Sequence, residues 1–278
     1  MKTNLECLPC FARQALASAC IATDDPELQG KIVQAVFGKL SQATLDATPM
    51  ELGGVVQRTV RDFTGVDDPY LDIKQQSNRF ALQKYPEMKE LVASAEAPLA
   101  VATKIAITGN IIDFGVPDRL DIEEPLKRIM HTPFAVDDFE LFADRISEAD
   151  SILYLGDNAG EIVFDRVLIE QLSPTEVTLT VKDEPFINDA MMADAEAAGF
   201  DESIRILPVP IYPETTEELQ LAWSTADLII AKGQANYEAY SEASGPLFYL
   251  LVAKCDIVAE ELGVSIGDLV LKANSHSL

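Results

Sequence analysis

The sequence is poor in the residues on which several common enzyme classes depend. Its 278 residues include two histidines, His131 and His276, too few for a histidine-rich zinc site or a well-supplied Ser-His-Asp triad. No stretch approaches the roughly eighteen consecutive apolar residues of a transmembrane helix. The first residues also lack the apolar core of a signal peptide. We therefore expect a cytoplasmic protein without a membrane partner.

Positive charge is also scarce. Lysine and arginine number 21 against 46 aspartates and glutamates, which gives a formal net charge of -25 and a pI of about 4.3. Such a chain repels the phosphate backbone of nucleic acids, and no Lys/Arg-rich segment offsets the repulsion. A nucleic-acid partner is therefore not expected. An anionic small molecule stays compatible if its site carries local positive charge from a metal ion or a lysine.

Four cysteines are present, and two of them form the motif Cys7-Leu-Pro-Cys10. A CxxC motif can bind a metal ion, cycle between dithiol and disulfide, or simply pack two small apolar groups at a helix start. Cys20 and Cys255 are too scattered in the sequence to be assigned as further zinc ligands. We favour a structural or accessory-metal role over thioredoxin-like redox chemistry, because no strand precedes the motif as that fold requires.

The chain changes character near residue 150. Before it, apolar residues recur every three or four positions, which is the spacing of helices. After it, short β-branched runs alternate with helical stretches, a pattern typical of a mostly parallel sheet with helices on both faces. The predicted fold is α/β, with a helical N-terminal domain (1–149) packed on a doubly wound, mostly parallel α/β/α sandwich (150–278). The predicted strands are Ile152 to Leu155, Val177 to Val181, Ile204 to Pro208, Leu228 to Ala231 and Phe248 to Val252.

An acidic turn, residues 156–161, follows the first predicted strand. Because parallel strands bring their carboxyl ends to one edge of a sheet, side chains that follow different strands are expected to meet there. Asp157 and Asn158 in this turn, and Asp189 after the second strand, would supply the oxygen ligands that Mg²⁺ or Mn²⁺ prefers. Asp183 is a rival ligand. Each of these residues also has a simpler interpretation, as a helix cap or a loop charge.

Lys232 follows the fourth predicted strand and offers the positive charge that an anionic substrate needs. Gly233 would allow backbone N–H groups to approach the anion, and Asn236 lies in the same segment. Taken alone, Lys232 is equally a solvated loop cation and Asn236 a helix cap. In the helical half, a turn with Asn110 and Asp113 ends an apolar helix. These two side chains would cover the site from the other domain and bind substrate hydroxyls.

The order of these motifs resembles the domain-of-unknown-function 89 family, whose members are also called damage-control phosphatases. The resemblance runs from about residue 3 to residue 272, and Cys7-Leu-Pro-Cys10 is similar to the stand-alone prokaryotic subgroup. It implies a metal-dependent phosphatase that acts on small phosphorylated metabolites. The matching segments are Asp68-Pro-Tyr70 with Lys74 and Asn78, Thr108 to Gly115, Gly156 to Asp165 and Lys232 to Glu238.

The resemblance also implies roles for individual residues. Asp157 and Lys232 would be catalytic, the first at the centre of the site and the second holding the phosphate. Asp157, Asn158 and Asp189 would bind a divalent ion: Mg²⁺, Mn²⁺, Co²⁺ or Ni²⁺. Attack on phosphorus by water and attack by a carboxylate are both compatible with this set. The resemblance also places Asn110 and Asp113 in the substrate pocket. From the residues themselves, Gly160, Glu161, Gly233 and Asn236 are further candidate substrate contacts, and Cys7 and Cys10 form a candidate accessory metal or redox site.

Three other function classes stay open. A dinucleotide-binding oxidoreductase would also place a Gly-rich turn after its first strand, but residues 156–160 lack the GxGxxG spacing. An S-adenosylmethionine-dependent carboxyl methyltransferase has a comparable sheet and needs no divalent ion. A non-catalytic small-ligand-binding module would bind its ligand without turnover. No oligomeric state is predicted.

Overall fold

The structure, a computed structural model, describes residues 1–110, 132–172, 175–200, 202–211 and 216–274. Helices make up the first of these segments: α1 (Cys7–Ala22), α2 (Pro26–Leu40), α3 (Pro49–Thr64), α4 (Leu71–Ala93) and α5 (Pro98–Gly109). Local sequence sets several of their starts. Thr48 and Glu51 form a capping box before α3, and the Asp25 side chain accepts from the Glu27 N–H at the start of α2.

Strands and helices alternate through the rest of the chain. The strands are β1 (Val136–Asp137), β2 (Ser151–Leu155), β3 (Glu176–Lys182), β4 (Arg205–Val209), β5 (Leu228–Lys232), β6 (Leu247–Val252) and β7 (Leu269–Ala273). The helices are α6 (Phe139–Glu148), α7 (Glu161–Ile169), α8 (Met192–Ala198), α9 (Glu217–Thr225), α10 (Gly233–Tyr240) and α11 (Asp256–Leu262). All residues of β5 and β6 are buried, which explains their continuous apolar character.

The strands form one sheet of seven in the order β1-β7-β6-β5-β2-β3-β4. Every neighbouring pair is parallel except β6 and β7. From β2 the chain continues to β3 and β4 on one side and then returns to β5 on the other side. Open α/β sheets bind ligands outside the carboxyl ends of the strands at such a reversal of strand order. The turn after β2 and the start of α10 after β5 lie there.

The apolar residues form separate cores on the two faces of the sheet. On one face, Ile105 of α5 and Phe164 of α7 pack with residues of β2 and β6. On the other face, Tyr237 of α10 and Val258 of α11 belong to the core. A smaller cluster that includes Phe11 joins α1, α2 and α3. The helical segment is therefore divided, because α4 and α5 share the core of the sheet whereas α1 to α3 have their own.

The predicted fold class is confirmed, and each predicted strand occurs within one residue of its expected bounds. β1 and β7 were not expected. β1 has only two residues, too few to leave a period-two pattern, and it pairs with β7 although it precedes the proposed boundary at residue 150. Among the described residues, no helix is long and apolar enough to span a membrane.

Candidate active site

The turn after β2 is held tightly by its neighbours. A Cβ atom added at Gly156 would lie 2.7 Å from a backbone carbonyl oxygen of β3. Gly160 has a φ of 77°, and its N–H donates to the Asn78 side-chain oxygen at 2.7 Å. Asn236 of α10 donates from its side-chain nitrogen to the carbonyl oxygens of Gly156 (3.0 Å) and Lys232 (2.7 Å). The turn is thus fixed by β3, α4 and α10 together.

Asp157 is the first acidic residue of this turn, and only 7% of its surface is exposed. Within the described part of the chain, its carboxylate accepts from the Asn110 side-chain nitrogen at 2.8 Å. Gly233, with a φ of 76°, lies directly against this carboxylate, since a Cβ atom there would be 1.8 Å from Asp157 Oδ2. The backbone at the start of α10 therefore reaches Asp157 because residue 233 has no side chain.

The loop after β3 brings Asp189 to the same turn. Asn158 and Asp189 pair as an isolated antiparallel bridge, and the Ala190 N–H donates to the Asp157 carbonyl oxygen at 2.8 Å. Asp189 is buried, and its Oδ2 has no hydrogen-bond partner among the described residues. Lys182 Nζ lies 3.9 Å from that oxygen. The residues predicted to bind a metal ion are thus neighbours at the edge of the sheet.

The two carboxyl groups are in an environment that disfavours negative charge. Burial raises the pKa of Asp157 well above its ordinary value, and the charges of Glu161 and Asp189 raise it further. Burial also raises the pKa of Asp189 to about 6, although Lys182 acts in the opposite direction. A cation bound between these groups would relieve the repulsion, because its charge would offset both carboxylates.

A second group of acids at this edge is paired with a lysine. Lys232 is fully buried, and its ammonium group donates to Glu161 Oε1 (2.8 Å), to Asp165 Oδ1 and to the Ala106 carbonyl oxygen (2.9 Å). The Tyr154 hydroxyl donates to the same Asp165 oxygen at 2.8 Å. These contacts join the end of β5 to α5 and α7.

The pKa shifts of this second group follow from the pairing. Burial acts to lower the pKa of Lys232, but the charges of Asp165 and Glu161 raise it above its ordinary value. Burial acts to raise the pKa of Glu161, yet Lys232 and Lys254 hold it below its ordinary value. Burial raises the pKa of Asp165 to about 7, and its Oδ2 has no hydrogen-bond partner in the described residues. Glu161 and Lys232 are therefore the stable ion pair.

These contacts bear on two predicted roles. The three hydrogens of the Lys232 ammonium are used by protein oxygens, so this lysine would have to release a partner before it could donate to a phosphate. The side-chain nitrogen of Asn236 is likewise committed to backbone carbonyl oxygens. The geometry gives both residues a supporting position, and direct contact with substrate stays a prediction.

Asn110, at the end of α5, links the two groups of acids. Its side-chain nitrogen donates to Asp157 Oδ2 at 2.8 Å and to Glu161 Oε2 at 3.0 Å. The Asn158 side-chain nitrogen donates to that same Glu161 oxygen at 3.0 Å. The Asn110 oxygen is buried without a hydrogen-bond partner among the described residues. The helical half thus places the Asn110 side chain between the two groups of acids, whereas Asp113 lies outside the described residues.

A cavity of about 520 Å³ borders this edge of the sheet. Its wall includes Phe186 and Ile187 of the loop that carries Asp189, and Gln234 and Lys254 after β5 and β6. Lys254 is exposed, and its charge lowers the pKa of carboxyls in both groups of acids. Sequence reasoning assigns no role to Lys254, although its position just after an apolar strand is a signal for this edge.

Helix α4 holds the turn after β2 through the Asn78 side chain. Asn78 accepts from the Gly160 N–H and donates to Asp194 Oδ1 at 2.7 Å. One turn earlier, the buried Lys74 ammonium lies 2.5 Å from Asp68 Oδ2. The spacing of four residues places Lys74 and Asn78 on one face of the helix. This face connects α4 to the turn after β2.

The residues present fit a hard divalent ion. Among the described residues, no three His, Cys, Asp or Glu side chains form a group ready to hold a metal. The available set is the carboxylates of Asp157 and Asp189 with the amide oxygen of Asn158. Magnesium-like ions are commonly held by one or two carboxylates and complete their shell with water or substrate oxygens. The buried Asp189 Oδ2, which has no hydrogen-bond partner among the described residues, suits such an ion.

The same cavity collects three of the four cysteines. Cys7 and Cys10 at the start of α1 and Cys255 before α11 all line its wall, whereas Cys20 does not. All four cysteines are free thiols. The sequence alone does not assign Cys255 to the CxxC motif, and the fold places it on the same cavity wall because the end of β6 lies near the start of α1.

Comparisons with known proteins identify the family of this chain. The model of the family described as damage-control phosphatase ARMT1-like domain matches residues 3–270. A damage-control phosphatase of Archaeoglobus fulgidus is 34% identical over 290 residues, which cover 98% of this chain and 99% of that protein. Damage-control phosphatase PH1575 of Pyrococcus horikoshii is 34% identical over 293 residues, which cover 100% of each.

Two further matches extend over nearly the whole chain. The uncharacterized protein MJ0202 of Methanocaldococcus jannaschii is 32% identical over 289 residues, which cover 98% of this chain and 95% of that protein. The crystal structure of the DUF89 family protein PH1575 of Pyrococcus horikoshii has a TM-score of 0.91 at 33% identity, and the match covers 99% of this chain and 100% of that one. Motif order, fold and whole-length similarity together show that this chain belongs to the damage-control phosphatase ARMT1-like family, also called DUF89.

Proposed function

We propose that the protein is a metal-dependent phosphatase that hydrolyses phosphate monoesters of small metabolites. The observation that carries this proposal is the pair Asp157 and Asp189, two buried carboxyls at the reversal of strand order whose charge the protein does not fully balance. Two relatives that are named damage-control phosphatases support the reaction class. The adjoining cavity, of about 520 Å³, has room for a small metabolite.

Asp157, Asn158 and Asp189 would hold the divalent ion. When bound, such an ion supplies positive charge that stabilises the transferring phosphoryl group. Lys254 is exposed on the cavity wall and is placed to attract the phosphate dianion of the substrate. Lys182, near Asp189, adds a second positive charge at the same edge. The site thereby acquires the local positive charge that the acidic protein as a whole lacks.

Lys232 has a different task in this proposal. Its ammonium group holds Glu161 in the charged form, and Glu161 Oε2 accepts from both Asn110 and Asn158. These hydrogen bonds orient the amide groups that adjoin Asp157. Lys232 is therefore a positioning residue that acts on the reacting groups through Glu161.

The decisive experiment removes the central carboxylate. Metal-stripped protein is titrated with Mg²⁺, Mn²⁺, Co²⁺ or Ni²⁺ and assayed on an aryl phosphate and a panel of phosphorylated metabolites. We expect Asp157→Ala to lower kcat/KM by at least about a thousandfold, which is about 4 kcal/mol of transition-state stabilisation. Circular dichroism and urea unfolding of the variant establish that it is folded.

Asp183→Asn is the matched control. Asp183 follows β3 at the same edge of the sheet but is exposed, so its substitution should change activity by no more than about twofold. A folded Asp157→Ala protein with full activity would refute the proposal. Binding of S-adenosylmethionine with no need for a divalent ion would instead support a methyltransferase, and metabolite binding without turnover would support a binding module.

A further inference from the structure

The cysteines on the cavity wall have no task in the proposed phosphatase reaction. Cys7 and Cys10 lie one helical turn apart at the start of α1, and Cys255 lies at the start of α11. The charges of Cys10 and Cys255 both act on Cys7, so the three sulfurs are electrostatic neighbours. All three are free thiols, and neighbouring free thiols can support thiol–disulfide exchange.

The two cysteines of the motif differ in access. Cys10 is exposed, and the Arg13 side chain donates to its sulfur at 3.4 Å, so a fixed positive charge lies beside it. Cys7 is only partly accessible, and burial raises the pKa of its thiol. In disulfide exchange, the accessible sulfur is the one that reacts first with a solution disulfide, and an adjacent thiol then resolves the product. The structure thus distinguishes an attacking thiol from a resolving thiol.

We propose that Cys10 and Cys7 form a thiol–disulfide exchange site on the cavity wall. The Cys10 thiolate attacks one sulfur of a small disulfide RSSR, which forms a Cys10–S–S–R mixed disulfide and releases RS⁻. The Cys7 thiolate then attacks the Cys10 sulfur, which forms the Cys7–Cys10 disulfide and releases the second RS⁻. Two protein thiols are oxidised, RSSR is reduced to two RSH, and the two thiol protons go to the departing thiolates.

Two features favour bonding within the motif over bonding to Cys255. Residues three apart on a helix have Cβ atoms about 5–6 Å apart, so a modest adjustment of the first helical turn closes the disulfide. That turn is at the helix start, where the N-cap residue Glu6 makes no side-chain cap hydrogen bond among the described residues. Cys255, in contrast, accepts from the Gln234 side-chain nitrogen at 3.3 Å, and that contact would have to be lost.

The test follows the mass of the full-length protein. Reduced protein is incubated with oxidised glutathione, quenched with acid at intervals, alkylated and digested. In the unaltered chain we expect a mixed disulfide at Cys10 that appears first and decays, and a Cys7–Cys10 disulfide that accumulates. Cys7→Ser should stop at a stable glutathionyl adduct on Cys10. Cys10→Ser should slow the first step at least about tenfold, because the accessible sulfur is gone.

Cys20→Ser is the matched control, since Cys20 is exposed on the same helix but lies outside the cavity. It should leave the products and their rates unchanged. Three results in the unaltered chain would overturn the proposal. They are a Cys10–Cys255 disulfide, a glutathionyl adduct that persists on Cys10, and modification of Cys20 as fast as Cys10. The time course of the unaltered chain decides this even if a variant folds poorly.

This thiol chemistry is read from mass alone and does not depend on the proposed phosphatase activity. If that activity also holds, the glutathionyl group retained by Cys7→Ser would occupy part of the cavity on whose wall Lys254 lies. Turnover of that variant should then fall on glutathionylation and recover on reduction. Loss of the thiol products and loss of phosphatase activity are thus separate outcomes.

Discussion

Two groups of buried acids lie at one edge of the sheet, and they differ in how their charge is balanced. Glu161 and Asp165 share the buried ammonium group of Lys232. Asp157 accepts from an amide nitrogen, and Asp189 has a lysine at 3.9 Å with one oxygen unpartnered in the described residues. The protein supplies a buried cation to the first group, although Asp165 Oδ2 has no hydrogen-bond partner among the described residues, whereas the second group has only the more distant Lys182.

In the proposed function, this difference in charge balance distinguishes a supporting group of acids from the group that binds the metal ion. Buried charges without partners are costly, so the Lys232 group is best explained as a structural tie between β5, α5 and α7. Asp157 and Asp189 carry an unbalanced repulsion that a bound cation would remove. In the proposed function these acids of similar burial have separate tasks, so variants at each group should behave differently.

The largest effect is expected from Lys232→Met. This change leaves Glu161 and Asp165 without their cation, and breaking a buried pair in this way costs about 3–5 kcal/mol of unfolding free energy. Urea denaturation measures the loss. Lys254→Met is the matched control, because Lys254 is exposed and its removal should cost less than about 0.5 kcal/mol.

A further variant guards against a Lys232→Met protein that does not fold. Addition of Glu161→Gln and Asp165→Asn to Lys232→Met removes the stranded charges and should recover part of the lost stability. If Lys232→Met unfolds at the same urea concentration as the unaltered protein, the assignment of this group as a structural tie is wrong.

Gly233→Ala should cause the next largest loss of unfolding free energy. It should also weaken metal binding, because the residue follows Lys232 of the first group and lies against Asp157 of the second. The new methyl group would lie 1.8 Å from Asp157 Oδ2 at a residue with a φ of 76°, so strain and displacement of the carboxylate should cost about 2–3 kcal/mol. Gly263→Ala, at a φ of 69° where an added Cβ atom would meet no neighbouring atom of the described residues within 4 Å, isolates the backbone cost of about 1 kcal/mol. Calorimetry with Mn²⁺ should show weakened binding only for Gly233→Ala, and equal binding by both variants would contradict the geometry.

Asp189→Asn should have a smaller effect, and in metal-free protein it should raise the free energy of unfolding instead of lowering it. The folded pKa of Asp189 is raised to about 6, so the folded state holds its proton more tightly than the unfolded chain does. The stability that this group contributes is present below about pH 4 and is lost as the pH rises to about 6. Over that range the free energy of unfolding falls by up to about 1.4 kcal/mol per pH unit.

The variant lacks this loss, so metal-free Asp189→Asn should be more stable than the unaltered protein at pH 7 by about 2 kcal/mol, and the two should converge near pH 4. Denaturation curves across this pH range measure the difference. Mn²⁺ should stabilise the unaltered protein more than the variant. A difference that is constant with pH, or equal stabilisation by Mn²⁺, would remove Asp189 from the proposed metal site.

Much of this arrangement is predictable from the chain. The position of Asp157 directly after an apolar strand indicates the edge of the sheet, because parallel strands end on one side. The positions of Asp189 and Lys232 after later strands follow the same reasoning. Lys254 carries the same signal, but nothing in its sequence context distinguishes a strand-end lysine at a cavity from a solvated one.

The sequence by itself determined the alternation that builds a parallel sheet, the strand ends that carry the acids and the motif order of the family, since these depend on local periodicity and spacing. Tertiary structure alone decided that Lys232 pairs with Glu161 and Asp165 and that Cys255 shares a cavity wall with Cys7. It also decided that Gly233 lies against Asp157. Such pairings join segments distant in the chain, and their partners are selected by how α5, α7 and the sheet pack, which no local pattern encodes.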